Sequence, residues 1–241
     1  MSYPYFFIDP HSIEGNRIKI EGEDRNHLIN VLRSKIGDTV HVSDNTDYKY
    51  ETEISDIDKT EAILIIKDKV RIFRKTPRII LFQCVLKKNS MELVIQKATE
   101  IGVDRIIPVI SARVITDKKD ISGKINRWQK ISDGASKQSK RDYKCELLPP
   151  EDIRDIRIPD YDLFYVPYEE STAINTNLAE VKNTSSIGYM IGPEGGFENT
   201  ELDLLKQKGA REIKFGKNIY RSETAAIYFL SVLDYLTANQ K

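Results

Sequence analysis

The sequence predicts an α/β protein in two parts, a small β-rich domain followed by a larger domain with a mostly parallel sheet. Three observations carry that reading. The first seventy residues hold short β-rich runs separated by Gly, Asp, Asn and Ser, the texture of strands and turns. Beyond residue 78, continuous apolar runs of strand length alternate with stretches of helical period, as in a sheet covered on both faces. Between them Arg71 to Arg78 is basic and polar and carries Thr76-Pro77, so the boundary is expected between 1–72 and 73–241.

Taken in order, strands are expected at Tyr5 to Ile8, Arg17 to Ile20, Thr39 to Ser43, Tyr48 to Ile54 and Ala62 to Ile66. One amphipathic helix, Asp24 to Arg33, interrupts them, with Leu28, Ile29, Val31 and Leu32 on one face and Gly37-Asp38 as the following turn. Such a segment suits a small β-barrel with one helix. In the second part Arg78 to Leu86 reads as a strand buried on both faces. A helix follows over Ser90 to Ile101, with Met91, Val94, Ile95, Ala98 and Ile101 at three-and-four spacing. The alternation continues with strands at Arg105 to Val109, Asp162 to Val166, Ile187 to Ile191 and Glu212 to Phe215. The intervening helices are Ile125 to Ser139, carrying Trp128, then Leu202 to Gln207, closed by Gly209, and the strongly apolar Glu223 to Leu236.

Composition narrows the function classes. The 241 residues are 40% hydrophobic and 31% charged, enough to bury a core. No apolar run reaches the roughly 18 residues of a membrane span, and the N-terminal stretch lacks a secretory pattern. Cys84 and Cys145 are isolated and read as reduced thiols, so a cytoplasmic location is expected. His11, His27 and His41 form no ligand cluster, so no metal is expected. Net charge is zero, which by itself argues against a nucleic-acid partner. The charge is segregated, however. Lys67 to Lys88 holds eight basic residues (Lys67, Lys69, Arg71, Arg74, Lys75, Arg78, Lys87, Lys88) against Asp68, while Pro150 to Glu180 is mainly acidic. A neutral chain so arranged can still present a basic face.

The most specific local feature is Gly192-Pro-Glu-Gly-Gly-Phe197, which follows a buried strand and precedes a helix expected near Asn199 or Thr200. Ligands of open α/β sheets bind at the carboxyl ends of the strands. Glycines there let backbone approach a ligand closely, and Pro193 stiffens the turn. The loop has neither the GxGxxG nor the P-loop spacing, and Glu194 repels polyphosphate. A ligand with hydroxyls, an amide-like ring edge or positive charge suits it better. A second patch, Phe215 to Ala226, again turns from a strand through glycine into a helix, with Ser222 as expected N-cap and Glu223 in the first turn. Arg221 would stand beside the first loop if the two preceding strands are neighbours.

GPEGG followed by IYRSETAA resembles the ribosomal RNA small subunit methyltransferase E family of the SPOUT class. Further matches run in order along nearly the whole chain: HLINVLRSKIGDTV (His27 to Val40), LKKNSMELVIQKATEIGVDRIIPVISAR (Leu86 to Arg113) and RWQKISDGASKQSKR (Arg127 to Arg141). The chain departs from the family at its first strand, where Tyr3-Pro4-Tyr5 replaces an arginine, at Lys137 (usually acidic) and at Lys140 (usually glycine).

The resemblance implies a PUA-like RNA-binding barrel, a SPOUT α/β domain with a deep trefoil knot, a homodimer, S-adenosylmethionine as cofactor, and methylation of a uridine N3 in 16S rRNA within the small ribosomal subunit. The knot rests wholly on resemblance, since chains generally avoid knots. S-adenosylmethionine also meets the loop's requirements, with an adenine, a ribose, a sulfonium and no phosphate. The implied cofactor residues are Val166 and Pro167; Ile191, Gly192, Pro193, Glu194, Gly195 and Gly196; and Phe215, Gly216, Ile219, Tyr220, Arg221, Thr224 and Ala225. Arg25, His27, Arg33, Gln138 and Arg141 are the RNA candidates, the last two alternatively contacting another protomer. Arg221 is the candidate catalytic residue, stabilising charge that develops on the base, and Glu223 is the candidate acceptor of its proton. Two rivals are a SPOUT enzyme acting on a ribose 2′-hydroxyl or on tRNA, and a non-catalytic RNA-binding module.

Overall fold

The computed structural model describes residues 3–114, 118–171 and 178–238. It divides into two compact units, the first comprising the chain up to Arg74 together with Lys137–Lys144, the second Lys75–Ser136 and the chain from Cys145 onward.

In the first unit, six strands are β1 (Tyr5–Phe7), β2 (Ile13–Glu14), β3 (Arg17–Glu21), β4 (Thr39–Ser43), β5 (Tyr48–Ile57) and β6 (Glu61–Arg71). They form one sheet in the order β1-β4-β5-β6-β3-β2, parallel at β1-β4 and antiparallel elsewhere. In β3, Ile18 and Ile20 alternate inward while Arg17, Lys19 and Glu21 face solvent, the period of a half-buried strand. The sheet encloses Phe6, Ile18, Ile20, Leu28, Val40, Val42, Ile54 and Leu64. Register shifts in β5 between Glu51 and Thr52 and between Ile54 and Asp56 are bulges that bend the strand.

The single helix expected over Asp24 to Arg33 is instead α1 (Gly22–Asn26) running into a π-helical turn, His27–Val31. The wider turn rotates later side chains off the inward face. Leu28 is fully buried, whereas Val31 is 62% exposed, and the turn ends at Arg33 with φ 57°.

Lys137–Lys144 joins this unit through polar hooks. The Tyr5 hydroxyl donates to Arg141 O at 2.8 Å, Ser43 Oγ to Asp142 O at 2.7 Å, and Lys144 N to Asn45 Oδ1 at 2.8 Å. Lys49 pairs with Asp142 at 2.8 Å, and Lys137 pairs with Asp24.

The second unit contains β7 (Arg78–Cys84), α2 (Lys88–Ile101), β8 (Arg105–Ile110), α3 (Lys118–Ser122), α4 (Ile125–Gln138, its end passing to the first unit), β9 (Glu146–Leu147), β10 (Glu151–Asp152), β11 (Leu163–Pro167), β12 (Ser186–Ile191), α5 (Asn199–Gln207), β13 (Arg211–Ile213) and α6 (Ser222–Thr237). The strand order is β10-β8-β7-β12-β11-β13, with β9 also on β8, and every pairing is parallel. Two cores cover the two faces. Ile79 and Leu81 of β7 pack with Met91, Val94, Trp128, Phe229 and Leu230 from α2, α4 and α6. Ile80, Phe82 and Cys84 point the other way, to Leu202 and Leu205 of α5 and to Ile153, Ile156 and Ile158. Each such side chain contributes about 1.5–3 kcal/mol on full burial. The short strands β2, β9 and β10 and the helix α3 carry too few residues to leave a period in the sequence.

Candidate functional site

Because the second sheet is all parallel, the loops after its strands emerge at one edge. The Gly192–Phe197 loop follows β12 there. Gly196 N donates to Pro193 O at 3.0 Å, and Gly196 has φ 71°, a left-handed conformation that favours glycine. Gly192 lies against Phe197, whose ring atoms would be 3.1–3.4 Å from an added Cβ. The ends of the loop are tied down. Glu194 Oε1 accepts from Lys87 N at 3.0 Å, and Arg113 donates to Gly195 O. Glu198 then caps α5 in a reciprocal pair with Glu201, whose other oxygen accepts from Ala112 N at 2.8 Å. Glu194 thus anchors the loop in addition to biasing it against anions.

The second patch reaches this loop by a route different from the one expected. β13 pairs with β11, not with β12, so the two strands are not neighbours. The contact is made instead by the start of α6. Ser222, expected as N-cap, is the first helical residue, and Arg221 occupies the cap position with φ −65° and ψ 154°. Freed from capping, Ser222 Oγ donates to Gly192 O at 2.6 Å and accepts from Gln83 Nε2 at 3.1 Å. Gln83 is fully buried, and its amide also donates to Cys84 O at 3.0 Å. Alternation along β7 turns Gln83 toward the α6 face. It was missed as a site residue, although a glutamine inside the apolar run Arg78 to Leu86 was a visible signal. The neighbouring Cys84 thiol is pushed up to about 12 by burial, so it stays protonated.

Between the loop after β11 and the chain from Lys214 to Ala225 lies a shallow, open cleft with a volume of about 60 Å³, lined among others by Pro167, Phe215, Ile219, Tyr220 and Ala225. Those five are expected cofactor residues. Tyr168, Glu169, Lys214, Lys217 and Asn218 line it too and were not foreseen. Phe215 and Tyr220 are braced by Tyr228 of α6, each ring pair 5.3 Å apart, and Ile219 is 77% exposed. Glu169 connects cleft and glycine loop: its Oε1 would lie 3.8 Å from a Cβ on Gly196. Val166 and Ile191 are buried strand residues that support the loops from below. Arg221 and Thr224 are exposed and Glu223 is half-buried on the first turn of α6. Among the described residues, no group of three or more His, Cys, Asp or Glu is placed to hold a metal ion, and no helix is long and apolar enough to cross a membrane.

All five RNA candidates lie in the first unit, although the sequence separates them by over a hundred residues. Phe6 contacts His27 edge-on at 6.0 Å and carries Lys137 over its ring at 5.4 Å, so the π-turn after α1 and the start of the 137–144 segment meet there. Arg25 donates to Asp58 O, and Arg141 Nε donates to Tyr143 O at 3.1 Å. Arg33 and Gln138 are exposed.

Comparisons with known proteins agree with this architecture. A family model described as an RNA methyltransferase domain matches residues 74–234, and one described as an RNA methyltransferase PUA domain matches residues 20–67. The ribosomal RNA small subunit methyltransferase E of Rickettsia conorii is 30% identical over 94% of this chain and 93% of its own. A methyltransferase from Legionella pneumophila, solved with the bound cofactor SAM, superposes with TM-score 0.85 at 26% identity, covering 98% of each chain. The small subunit methyltransferase E of Neisseria gonorrhoeae, solved bound to S-adenosyl methionine, shares the fold with TM-score 0.87 at 24% identity, again over 98% of each chain. Fold and site together define an RNA methyltransferase with a PUA-like N-terminal domain and a SPOUT methyltransferase domain. Within that class, the chain belongs to the ribosomal RNA small subunit methyltransferase E family.

Proposed function

We propose that this protein uses S-adenosylmethionine to methylate N3 of a uridine in 16S rRNA, in the cytoplasm and within the small ribosomal subunit. The residues present fit that cofactor. Pro167, Phe215 and Ile219 offer apolar walls to an adenine, while Glu169 offers a carboxylate to a cation. At Gly196 a side chain would project toward Glu169 and Arg113, so its absence leaves backbone accessible. S-adenosylmethionine supplies an electrophilic methyl group. Support also comes from the two similar structures solved with it. Calorimetry in EDTA with the folded protein is expected to show binding, and absence of heat would refute the assignment.

The chain's own residues must hold N3 in line, take its proton and stabilise the anion spread to O2 and O4. In-line positioning is worth up to about 7–11 kcal/mol. Arg221 stands at the α6 N-terminus, where its charge and the free helix amides both favour an anion, and no described residue pairs with its guanidinium. Glu223, half-buried one residue further into the first turn from Ser222, is the proposed proton acceptor. The observation that carries this reading is the Gln83–Ser222–Gly192 chain of hydrogen bonds, which ties the Arg221 turn to the glycine loop. Arg221→Ala should lower the single-turnover rate by roughly a hundredfold or more with a much smaller change in cofactor affinity, and higher pH should restore part of the rate. Nucleoside mass spectrometry must identify the product, and 2′-O-methyluridine would overturn the N3 assignment.

The proposed working form is a homodimer. Ala226, Phe229, Leu230 and Leu233 of α6 enter its own core, but the opposite side leaves Tyr228 and the 77% exposed Tyr235 uncovered. Light scattering giving a monomer mass at micromolar concentration would sink this. The proposed division at 1–72 and 73–241 gives the barrel, with Arg25, His27, Arg33 and the added Gln138 and Arg141, the task of positioning RNA. The trefoil knot belongs to this reading as well, and its support is the likeness to the family.

A further inference from the structure

We propose that one end of the barrel, around Phe73, is a stacking site for an unpaired nucleobase of an RNA single strand. This rests on the reading of RNA as substrate and adds a surface distinct from Arg25, His27 and Arg33. Phe73 is 72% exposed and lies two residues past the end of β6, although a large apolar ring gains by leaving water. Arg71 lies over one face of that ring at 5.4 Å. The other neighbours repeat the pattern. Lys69 lies over Tyr48 at 4.9 Å, Arg74 over Tyr143 at 4.1 Å and Lys144 over Phe7 at 5.4 Å. These pairs share one end of the unit. Tyr48 is paired with Arg71 across β5 and β6, Ile72 N donates to Asp47 O at 2.8 Å, and Lys144 N donates to Asn45 in the same turn. Two acids at this end are already engaged: Asp44 accepts three backbone N–H groups and Asp142 pairs with Lys49. Asp47 and Asp68 are also exposed here, but Lys69, Arg71 and Arg74 outnumber them, and Phe73 stands exposed among these cations. Tyr143 and Phe7 are buried, so the ring open to a base is Phe73. One exposed ring among cations matches the phosphates and an unpaired base of a single strand, not a duplex whose bases are stacked internally.

The test uses the full-length protein and a uridine-rich RNA of roughly ten nucleotides carrying one 2-aminopurine, alone and annealed to its complement. Binding should quench the fluorescence of the single strand and leave the duplex little changed. Phe73→Ala should weaken single-strand binding roughly 5- to 150-fold, the range of one lost base stack, and abolish the quench, while Phe73→Trp should retain both. Arg71→Gln should lower the slope of log affinity against log salt by about 0.7, as for one phosphate contact. Unchanged affinity and quench in Phe73→Ala would overturn the proposal, as would a change in dimer mass with no change in RNA affinity, which would make the patch a protomer contact. Methyl transfer to rRNA is measured in parallel. If wild type transfers methyl groups but Phe73→Ala binds RNA equally well, only the stacking site fails. If wild type neither binds S-adenosylmethionine nor methylates rRNA while the Phe73 effect persists, the proposed function fails and the stacking site stands.

Discussion

Lys140 has a φ of 53° at a position where the family resemblance leads one to expect glycine. A left-handed conformation costs a residue with a Cβ roughly 1–2 kcal/mol, and here it is held by the hydrogen bonds that seat Arg141, Asp142 and Lys144 on the barrel. Lys140→Gly should therefore stabilise the protein by about 1 kcal/mol, raising Tm by roughly 2–4 °C. A thermal melt with unchanged or lower Tm would contradict this. Ser222 makes the opposite case. Its hydroxyl is the only described link between buried Gln83 and the Gly192 carbonyl. Ser222→Ala should cost about 1–3 kcal/mol through the unsatisfied amide and weaken cofactor binding with it, while Gln83→Leu combined with Ser222→Ala should recover stability but not binding. Gln83 was visible in the sequence as a polar break in an apolar run. Its partner was not, because 139 residues separate them.

At the scale of elements, β12 is the strand on which the site hangs, and its Gly188 is explained by packing. An added Cβ would fall 2.4 Å from Phe164 Cδ2 on neighbouring β11, inside any permissible contact. Gly188→Ala should destabilise by about 1–3 kcal/mol, and Phe164→Leu in the same chain should relieve part of it. Additive losses in denaturant titrations would show that the ring is not the obstacle. The π-turn after α1 is another local decision that periodicity misses. Leu28, Ile29, Val31 and Leu32 fit one helical face on paper, yet the turn gains one residue, and Val31 and Leu32 come out exposed.

For the molecule as a whole, the compact units do not follow a single cut in the chain, since Lys137–Lys144 belongs with the barrel. Removing the barrel would strip that segment of Tyr5, Ser43, Asn45 and Lys49, so a truncated chain should expose the hydrophobic ring of Tyr143 and bind hydrophobic dyes more than wild type. Acid should act on the barrel through Asp44, which is 4% exposed. Burial by itself raises its pKa, but the N–H groups of Tyr48, Thr46 and Asp47 outweigh that and hold it below the usual carboxylate value. A lowered folded pKa means that the carboxylate stabilises the fold above its unfolded value of about 3.9 and that this stability is lost as pH falls through the folded value. Asp44→Asn should reduce stability at neutral pH and flatten the acid limb of a stability–pH profile. Equal slopes for both proteins below pH ~4 would refute the assignment.

The sequence by itself determined the β-rich first part, the parallel α/β second part and the two loops of the site, because strand and helix periods and glycine-rich turns are local signals. It also carried the family, through motifs that must keep their spacing. Only the tertiary structure decided that β13 joins β11 and that α6, not an adjacent strand, brings Ser222 to the glycine loop. It alone returned Lys137–Lys144 to the barrel and gathered Phe73, Arg71, Tyr143 and Lys144 at one end. The physical reason is the same in each case. Hydrogen bonds and ring contacts between residues far apart in the chain depend on which surfaces remain unsatisfied after local structure has formed, and no period in the sequence records that.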